Sequence, residues 1–203
     1  MSIEVKISKN RIPYKKALFT LERRVEDVKR GLKKELLWIL EHPTTFTGGI
    51  RSNQNEVLDK KIKIIKTNRG GKITLHNPGQ KIIYFVIDLN KRKKDIRLFI
   101  RTLEESIIEL LKIYNIDAKA DRKNIGIWVK NKKISAIGIK VKRWIAYHGC
   151  SINISNNLTE YKKIIPCGLN NEDITSFNNL GVKKISNLNG NIKKIFIKKI
   201  SKI

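Results

Sequence analysis

Residues 69–89 read RGGKITLHNPGQKIIYFVIDL, a loop that leads into a strand. Lys81 to Leu89 is β-branched, aromatic and largely apolar, which predicts a buried strand. Arg69 to Gln80 is rich in Gly, Pro and polar side chains, which predicts a loop. Paired glycines let a backbone approach a ligand closely, and binding residues concentrate on loops held by a rigid scaffold. The stretch therefore indicates a ligand-binding loop; an ordinary turn is the alternative, and the glycine spacing excludes a phosphate-binding P-loop.

Helices and strands interleave irregularly on both sides of this stretch. Helical spacing of apolar residues predicts helices over Ala17 to Leu32 and over Ile192 to Ile200. Two more helices are predicted where an Asp can serve as the N-cap: one begins after Asp95, and one runs from Asp173 to Leu180. Strands are predicted at 36–40, 61–66, 125–130, 133–144 and 145–154, with a loop at 42–49 and fraying ends, including residues 1–10. The pattern predicts an α/β (α+β) fold, with one domain over residues 1–203 and a mixed β-sheet flanked by helices.

Composition excludes several classes of protein. The net charge is +26, but the lysines are spread along the chain without interleaved aromatic residues, so a solvated basic surface is favoured over nucleic-acid binding. No apolar run suits a signal peptide or a membrane span, so we expect no membrane association and a cytoplasmic location. The two cysteines are expected to be thiols, and the three histidines are too scattered in the sequence to indicate a metal site.

Three later segments extend the pattern of the glycine-rich stretch. They are KISAIGIK at 133–140, YHG at 147–149 after Trp144, and IPCG at 165–168. Together with residues 69–80 and with EHP at 41–43, this ordered set resembles the lipoyl(octanoyl) transferases, relatives of the biotin and lipoate protein ligases. The similarity spans about residues 37–169. It implies a biotin/lipoate protein ligase-like fold and a single catalytic domain.

The resemblance also implies roles for individual residues. It makes Cys167 the acyl-carrying nucleophile and Lys133 the group that lowers the pKa of the thiol and moves the proton. It implies no cofactor and no metal. The remaining positions carried over are substrate-binding: Arg69, Gly70, Gly71, Lys72, Ile73, Thr74, Leu75, His76, Ala136, Ile137, Gly138, Gly149, Cys150 and Ser151.

The reaction implied by the family is a two-step acyl transfer that begins protein lipoylation. An octanoyl or lipoyl group passes from acyl carrier protein to Cys167, with backbone N–H groups of the glycine-rich region stabilising the oxyanion. The group then passes to a lysine of a lipoyl-carrier domain. Implied acceptors are the lipoyl domains of 2-oxoacid dehydrogenase complexes and the H-type protein of glycine cleavage. A basic surface favours encounter with acidic partners.

Two other hypotheses remain open from the residues alone. An ATP-dependent lipoate or biotin ligase on the same fold would need no cysteine, and a basic nucleic-acid-binding module would need no glycine-rich loop. Individually, a cysteine such as Cys167 is usually a buried small hydrophobe, and a lysine such as Lys133 is usually a surface charge. We expect Cys150 and Trp144 to contribute to packing, and His148 to be structural.

Four positions, in three places, depart from the family pattern. Asn77 stands where the family usually has Gly, and we expect Asn to tolerate a left-handed backbone there. Leu75 replaces a common Tyr and removes a hydroxyl group. Cys150 and Ser151 replace more commonly apolar or small residues, which affects the acyl pocket. None of these changes touches the Cys167–Lys133 pair.

Overall fold

A computed structural model describes residues 2–121, 124–166 and 173–203. Its main feature is a seven-stranded mixed sheet in the order β1-β2-β6-β10-β9-β8-β7. The strands β1 and β2 are parallel, and the other neighbouring pairs are antiparallel. The seven strands are β1 (Ile3–Ile7), β2 (Glu35–Leu40), β6 (Gln80–Asp88), β7 (Lys119–Ala120), β8 (Ile127–Val129), β9 (Lys132–Lys142) and β10 (Ile145–Asn153).

Three helices cover the two faces of this sheet: α1 (Tyr14–Lys29), α2 (Ile96–Ile113) and α3 (Leu188–Ile200). Helix α1 packs on one face through Leu21 and Val25 against side chains of β2 and β6. Helices α2 and α3 pack on the other face in a larger core around Phe85 and Phe99. Asp95 caps α2 by accepting a hydrogen bond from the Leu98 N–H, as the sequence predicts. The predicted mixed sheet flanked by helices is confirmed.

A second sheet has three strands in the order β4-β3-β5, namely β3 (Thr45–Gly48), β4 (Ile64–Lys66) and β5 (Ile73–His76). Two predicted loops were therefore wrong in part, because β3 lies within 42–49 and β5 lies within 69–80. Ile73 and Leu75 alternate with Thr74 and His76, and this period of two is a strand signal that Gly and Pro nearby obscured. The pairing of β5 with β3 brings the glycine-rich segment over the main sheet.

Other boundaries also differ from the predictions. Residues 1–10 were expected to fray, but Ile3–Ile7 pairs with β2, because its backbone has a parallel partner thirty-two residues later in the chain. The predicted helix from Asp173 to Leu180 is replaced by an isolated β-bridge at Ile174 and a 3₁₀ turn over Asn178–Leu180.

Trp144 does not enter the core. Arg143 and Trp144 both adopt positive φ in the turn between β9 and β10, and the Trp144 side chain is 37% exposed. This two-residue turn ends the predicted strand 133–144 at Lys142. Among the described residues, no helix is long and apolar enough to cross a membrane.

Candidate active site

A cavity of about 710 Å³ lies between the glycine-rich segment and the main sheet. Its floor comes from β6, β9 and β10, and residues 69–72 together with Thr74 form one wall. Most of the predicted site residues line it. They are Arg69, Gly70, Gly71, Lys72, Thr74, His76, Lys133, Ala136, Ile137, Gly138, Gly149, Cys150 and Ser151.

Ile73 and Leu75 are the two predicted binding residues that do not line this cavity. They alternate along β5 with Thr74 and His76, so their side chains point to the opposite face. There they pack with Phe46 and Tyr161 in a small hydrophobic cluster. Their placement indicates that they hold the strand that presents Thr74 and His76.

Lys133 lies at the second position of β9 with only 7% of the residue exposed. Its Nζ donates a hydrogen bond to the Ile125 carbonyl at 2.8 Å and lies 5.5 Å from the centre of the Trp128 ring. Within the described part of the chain, no carboxylate lies within ion-pair distance of this ammonium. A buried ammonium with one protein acceptor can stabilise an anion at the cavity.

The predicted nucleophile, Cys167, lies outside the described residues, within the gap 167–172. Both described flanks of that gap adjoin Lys133. Pro166, Lys133 and Thr74 border one small pocket, and the Thr175 N–H donates to the Lys133 carbonyl at 3.0 Å. Ile174 also forms an isolated parallel bridge with Lys133.

The Arg69 side chain holds the glycine-rich segment in place through hydrogen bonds to backbone carbonyls. Its two terminal nitrogens donate to the carbonyls of Gly70 and Thr47, at 2.9 Å each, and one of them also reaches Thr47 Oγ1. The Gly70 N–H donates to the Ile139 carbonyl at 3.1 Å, which ties the segment to β9. This N–H is therefore already used and is not free to stabilise an oxyanion. The side-chain nitrogen Nε of Arg69 is buried and has no hydrogen-bond partner among the residues that the structure describes.

The three histidines, scattered in the sequence, converge at one end of the cavity. The rings of His42 and His76 lie 5.6 Å apart, and His76 and His148 both line the cavity. Burial lowers the pKa of His42 to about 4, and that of His76 and of His148 to about 3. At neutral pH all three imidazoles are therefore uncharged.

Each imidazole also has a fixed partner. His42 contacts the Ile12 carbonyl through Nδ1 and the Tyr84 hydroxyl through Nε2 at 2.8 Å. Nε2 of His148 lies 2.7 Å from the side-chain oxygen of Asn68. In the described part of the chain, no three His, Cys, Asp or Glu side chains are arranged to hold a metal ion.

Sequence reasoning missed two aromatic residues of the site, Tyr14 and Tyr84. Tyr14 is the first residue of α1, and its ring stacks on His76 with centroids 5.8 Å apart. Tyr84, from β6, also lines the cavity. Burial raises the pKa of both hydroxyl groups, so both stay protonated. The alternation along β6 offered a signal for Tyr84, because Ile82 and Tyr84 share a face; nothing local marked Tyr14.

Cys150 is buried in β10, and burial alone raises the pKa of its thiol. A thiol held protonated is a poor nucleophile. Its position is consistent with the predicted packing role, although it also borders the cavity.

The departures at Asn77 and Leu75 have structural explanations. Asn77 does not adopt positive φ, so the expected left-handed backbone was wrong; Gly79 adopts it instead, at φ +85°. The Asn77 amide donates to the Asn157 carbonyl and accepts from Asn156. The Leu75 side chain is fully buried, and the Tyr161 hydroxyl donates to the Leu75 carbonyl at 3.3 Å.

Comparison with known proteins gives a consistent result. The lipoyl protein ligase A/B catalytic domain family matches residues 13–201. An octanoyltransferase of Wolbachia sp. subsp. Brugia malayi (strain TRS) is 43% identical and covers 97% of this chain and 98% of its own. An octanoyltransferase of Wolbachia pipientis wMel is 42% identical and covers 95% and 97% of the two chains.

The fold has matches among solved structures. A lipoate protein ligase structure from T. acidophilum, with bound lipoic acid, superposes with a TM-score of 0.77 at 17% identity and covers all of this chain and 86% of its own. At that identity the likeness shows the fold alone, and it confirms the predicted biotin/lipoate protein ligase-like architecture. With the family match over residues 13–201 and relatives above 40% identity along nearly the whole chain, the protein belongs to the lipoyl protein ligase A/B catalytic domain family.

Proposed function

We propose that this protein is an octanoyltransferase that carries the octanoyl group on Cys167 and delivers it to a lysine of a lipoyl domain. The observation that carries the proposal is the buried Lys133 ammonium beside the cavity. Lys133 has no carboxylate partner among the described residues, and it lies next to both flanks of residues 167–172. The 43% identical relative named octanoyltransferase supports the same reaction.

In the first step the Cys167 thiolate attacks the carbonyl carbon of an octanoyl thioester. A thiol of ordinary pKa is mostly protonated at neutral pH, so the neighbouring ammonium is needed to favour the thiolate. The bond between the carbonyl carbon and the donor sulfur breaks, and the departing thiolate takes a proton from Lys133. The products are a Cys167 thioester and a free donor thiol.

In the second step the neutral ε-amine of the acceptor lysine attacks the Cys167 thioester. The C–N bond forms, the C–S bond to Cys167 breaks, and the proton lost by the amine returns to Lys133. An amide results, Cys167 is again a thiolate beside an ammonium, and no ATP is consumed. Ile82, Ile137 and Ile139 line the cavity and suit the apolar chain of the acyl group.

The resemblance to the lipoyl(octanoyl) transferases implies the partners that we propose. The acyl donor is octanoyl-acyl carrier protein, and the acceptors are the lipoyl domains of 2-oxoacid dehydrogenase complexes and the H-type glycine-cleavage protein, all in the cytoplasm. The net charge of +26 favours encounter with acidic proteins at low ionic strength.

A ligase that activates the free acid with ATP has less support. The ligases matched by structure are about 17% identical, whereas the relatives above 40% identity carry the name octanoyltransferase. A ligase also offers no role for Cys167 as an acyl-carrying nucleophile.

The test is to incubate the purified protein with octanoyl-acyl carrier protein, without ATP, and to measure its intact mass and peptide masses. We expect one hydroxylamine-labile octanoyl adduct on Cys167, which is discharged onto an added lipoyl domain. Cys167→Ser should abolish the labile adduct and the transfer, while Cys150→Ser should retain the adduct. A wild-type protein without the adduct, or transfer that depends on ATP, would rule out the proposal.

A further inference from the structure

The segment Asn124–Gly126 forms a wall against the side chain of Lys133. The Trp128 indole N–H donates to the Asn124 carbonyl at 3.0 Å, which anchors the start of the segment. The next carbonyl, that of Ile125, accepts the hydrogen bond from Lys133 Nζ at 2.8 Å. Two successive carbonyl groups are therefore held by residues of β8 and β9.

Gly126, the third residue of the segment, lies directly against the Lys133 side chain. A Cβ atom at Gly126 would come within 2.3 Å of Lys133 Cε, 3.0 Å of Lys133 Nζ and 2.6 Å of the Ser135 carbonyl oxygen. Its φ of +146° is also a conformation that residues with a side chain rarely adopt. The space of the missing side chain is thus occupied by the methylene group next to the ammonium.

We infer that Gly126 is a positioning residue for the acyl transfer, because its lack of a side chain lets Lys133 lie in the orientation that serves Cys167. The inference rests on the proposed function. The register of β8 against β9 shifts between Ile127 and Trp128, and this irregularity directly follows Gly126.

A side chain at Gly126 would overlap both Lys133 Cε and the Ser135 carbonyl oxygen, and the flexible end of the Lys133 side chain is the neighbour that can move away most easily. The attraction between an ammonium and a thiolate falls with their separation. Proton transfer also requires hydrogen-bond reach. A displacement of about 1 Å at a reacting group can lower a rate by about 100-fold. Gly126→Ala should therefore reduce the effect of Lys133 on the thiolate and on proton transfer, and it should leave the rest of the cavity intact.

The experiment compares Gly126→Ala, Lys133→Gln and Gly181→Ala with wild type. Gly181 also has positive φ, at +77°, but a Cβ there would have nothing within 4 Å, so Gly181→Ala reports the backbone cost alone. For each protein we would measure the rate of octanoyl loading and the pH dependence of Cys167 alkylation, read by peptide mass. Gly126→Ala should lower loading by about 10- to 100-fold and move half-maximal alkylation to higher pH, as Lys133→Gln does. Gly181→Ala should change neither.

The double variant separates positioning from a general defect. If Gly126 acts through Lys133, Gly126→Ala with Lys133→Gln should load no more slowly than Lys133→Gln alone. A Gly126→Ala protein that melts earlier but keeps the wild-type alkylation profile would overturn the inference, because a merely structural glycine predicts that result.

If Gly126→Ala does not fold, a second variant tests whether the segment 124–126 positions Lys133. Trp128→Phe removes the indole N–H that anchors the Asn124 carbonyl, and it should shift the alkylation profile in the same direction by a smaller amount. An unchanged Trp128→Phe profile would then contradict the inference. If instead Lys133→Gln leaves the profile unchanged, the Cys167–Lys133 pair itself is wrong, and the proposed function fails together with the inference.

Discussion

The side-chain oxygen of Gln80 lies 2.8 Å from Nδ1 of His76, and both residues are buried. The Gln80 NH₂ group faces three acceptors, the Leu75 carbonyl, the Asn153 side-chain oxygen and the Tyr161 hydroxyl. The amide oxygen must therefore be the atom that faces His76, and Nδ1 must carry the proton. This leaves His76 Nε2 as an acceptor on a residue that lines the cavity.

Replacing Gln80 with Leu should destabilise the protein by about 3 kcal/mol, because several buried polar groups lose their partner at once. The measurement is urea unfolding at pH 7. Gln54→Leu provides a matched control, because Gln54 is exposed, and we expect a change below about 0.5 kcal/mol there. Equal effects of the two substitutions would contradict this account of Gln80.

Stability should fall when the pH is lowered below about 6.5. The unfolded chain binds protons at its histidines near that pH, whereas folded His42, His76 and His148 resist protonation down to pKa values of about 4, 3 and 3. Each such histidine contributes a slope of up to about 1.4 kcal/mol per pH unit between its folded and unfolded pKa. This stabilisation is thus fully present above pH 6.5 and is lost as the pH falls, down to about pH 4 for His42 and about pH 3 for His76 and His148.

Urea unfolding at pH 7, 6 and 5 measures this slope, and imidazole NMR shifts report the protonation of each ring directly. His42→Gln should reduce the slope. Rings that titrate near pH 6.5 in the folded protein would show that the histidines are not held neutral.

The two cysteines should differ sharply towards iodoacetamide. Burial raises the pKa of the Cys150 thiol, so Cys150 should stay unlabelled in the native protein at pH 7.5. Cys167, as the proposed nucleophile, should be labelled first. Both should react in urea, which serves as the control. Native labelling of Cys150 at its unfolded rate would show that β10 opens readily.

The buried ion pair between Glu35 and Arg92 should be important for stability but not for catalysis. Arg92 contacts both carboxylate oxygens, and it also donates to the Ile200 carbonyl at the end of α3. Glu35→Ala leaves a buried guanidinium unpaired and should cost about 3–5 kcal/mol. The exposed pair Lys142–Glu26 is the control, and Glu26→Ala should cost below about 1 kcal/mol. Thermal unfolding of the two variants compares them, and a similar loss in both would contradict the prediction.

The predictable parts of the fold are those whose signal is local. Strand β6 and helix α2 carry strong apolar patterns over nine and eighteen residues; β6 lies one residue before its predicted position at 81–89, and α2 begins directly after the predicted cap Asp95. Strands β1, β3 and β5 have only four or five residues and depend on partners far along the chain, so a short window contains too little evidence.

The residues of the candidate site also differ in whether the sequence around them carried a signal. The glycine-rich segment was predicted as a binding loop from its own residues, whereas Lys133 was identified only through the family resemblance. The stacking of Tyr14 on His76, and the contact between His42 and Tyr84, join residues 62 and 42 positions apart and carried no local signature. Gly126 was also missed, because its importance depends on a Lys133 side chain seven residues later.

Tyr14 has a consequence for the boundaries of the functional unit. The recognisable motifs begin near residue 37, yet this tyrosine, from the opening turn of α1, supplies part of the cavity wall. A fragment that began at residue 37 would retain every motif residue but would lack the part of the cavity wall that Tyr14 forms. Conversely, exchanging the first helix between relatives offers a way to reshape substrate preference while leaving the signature untouched.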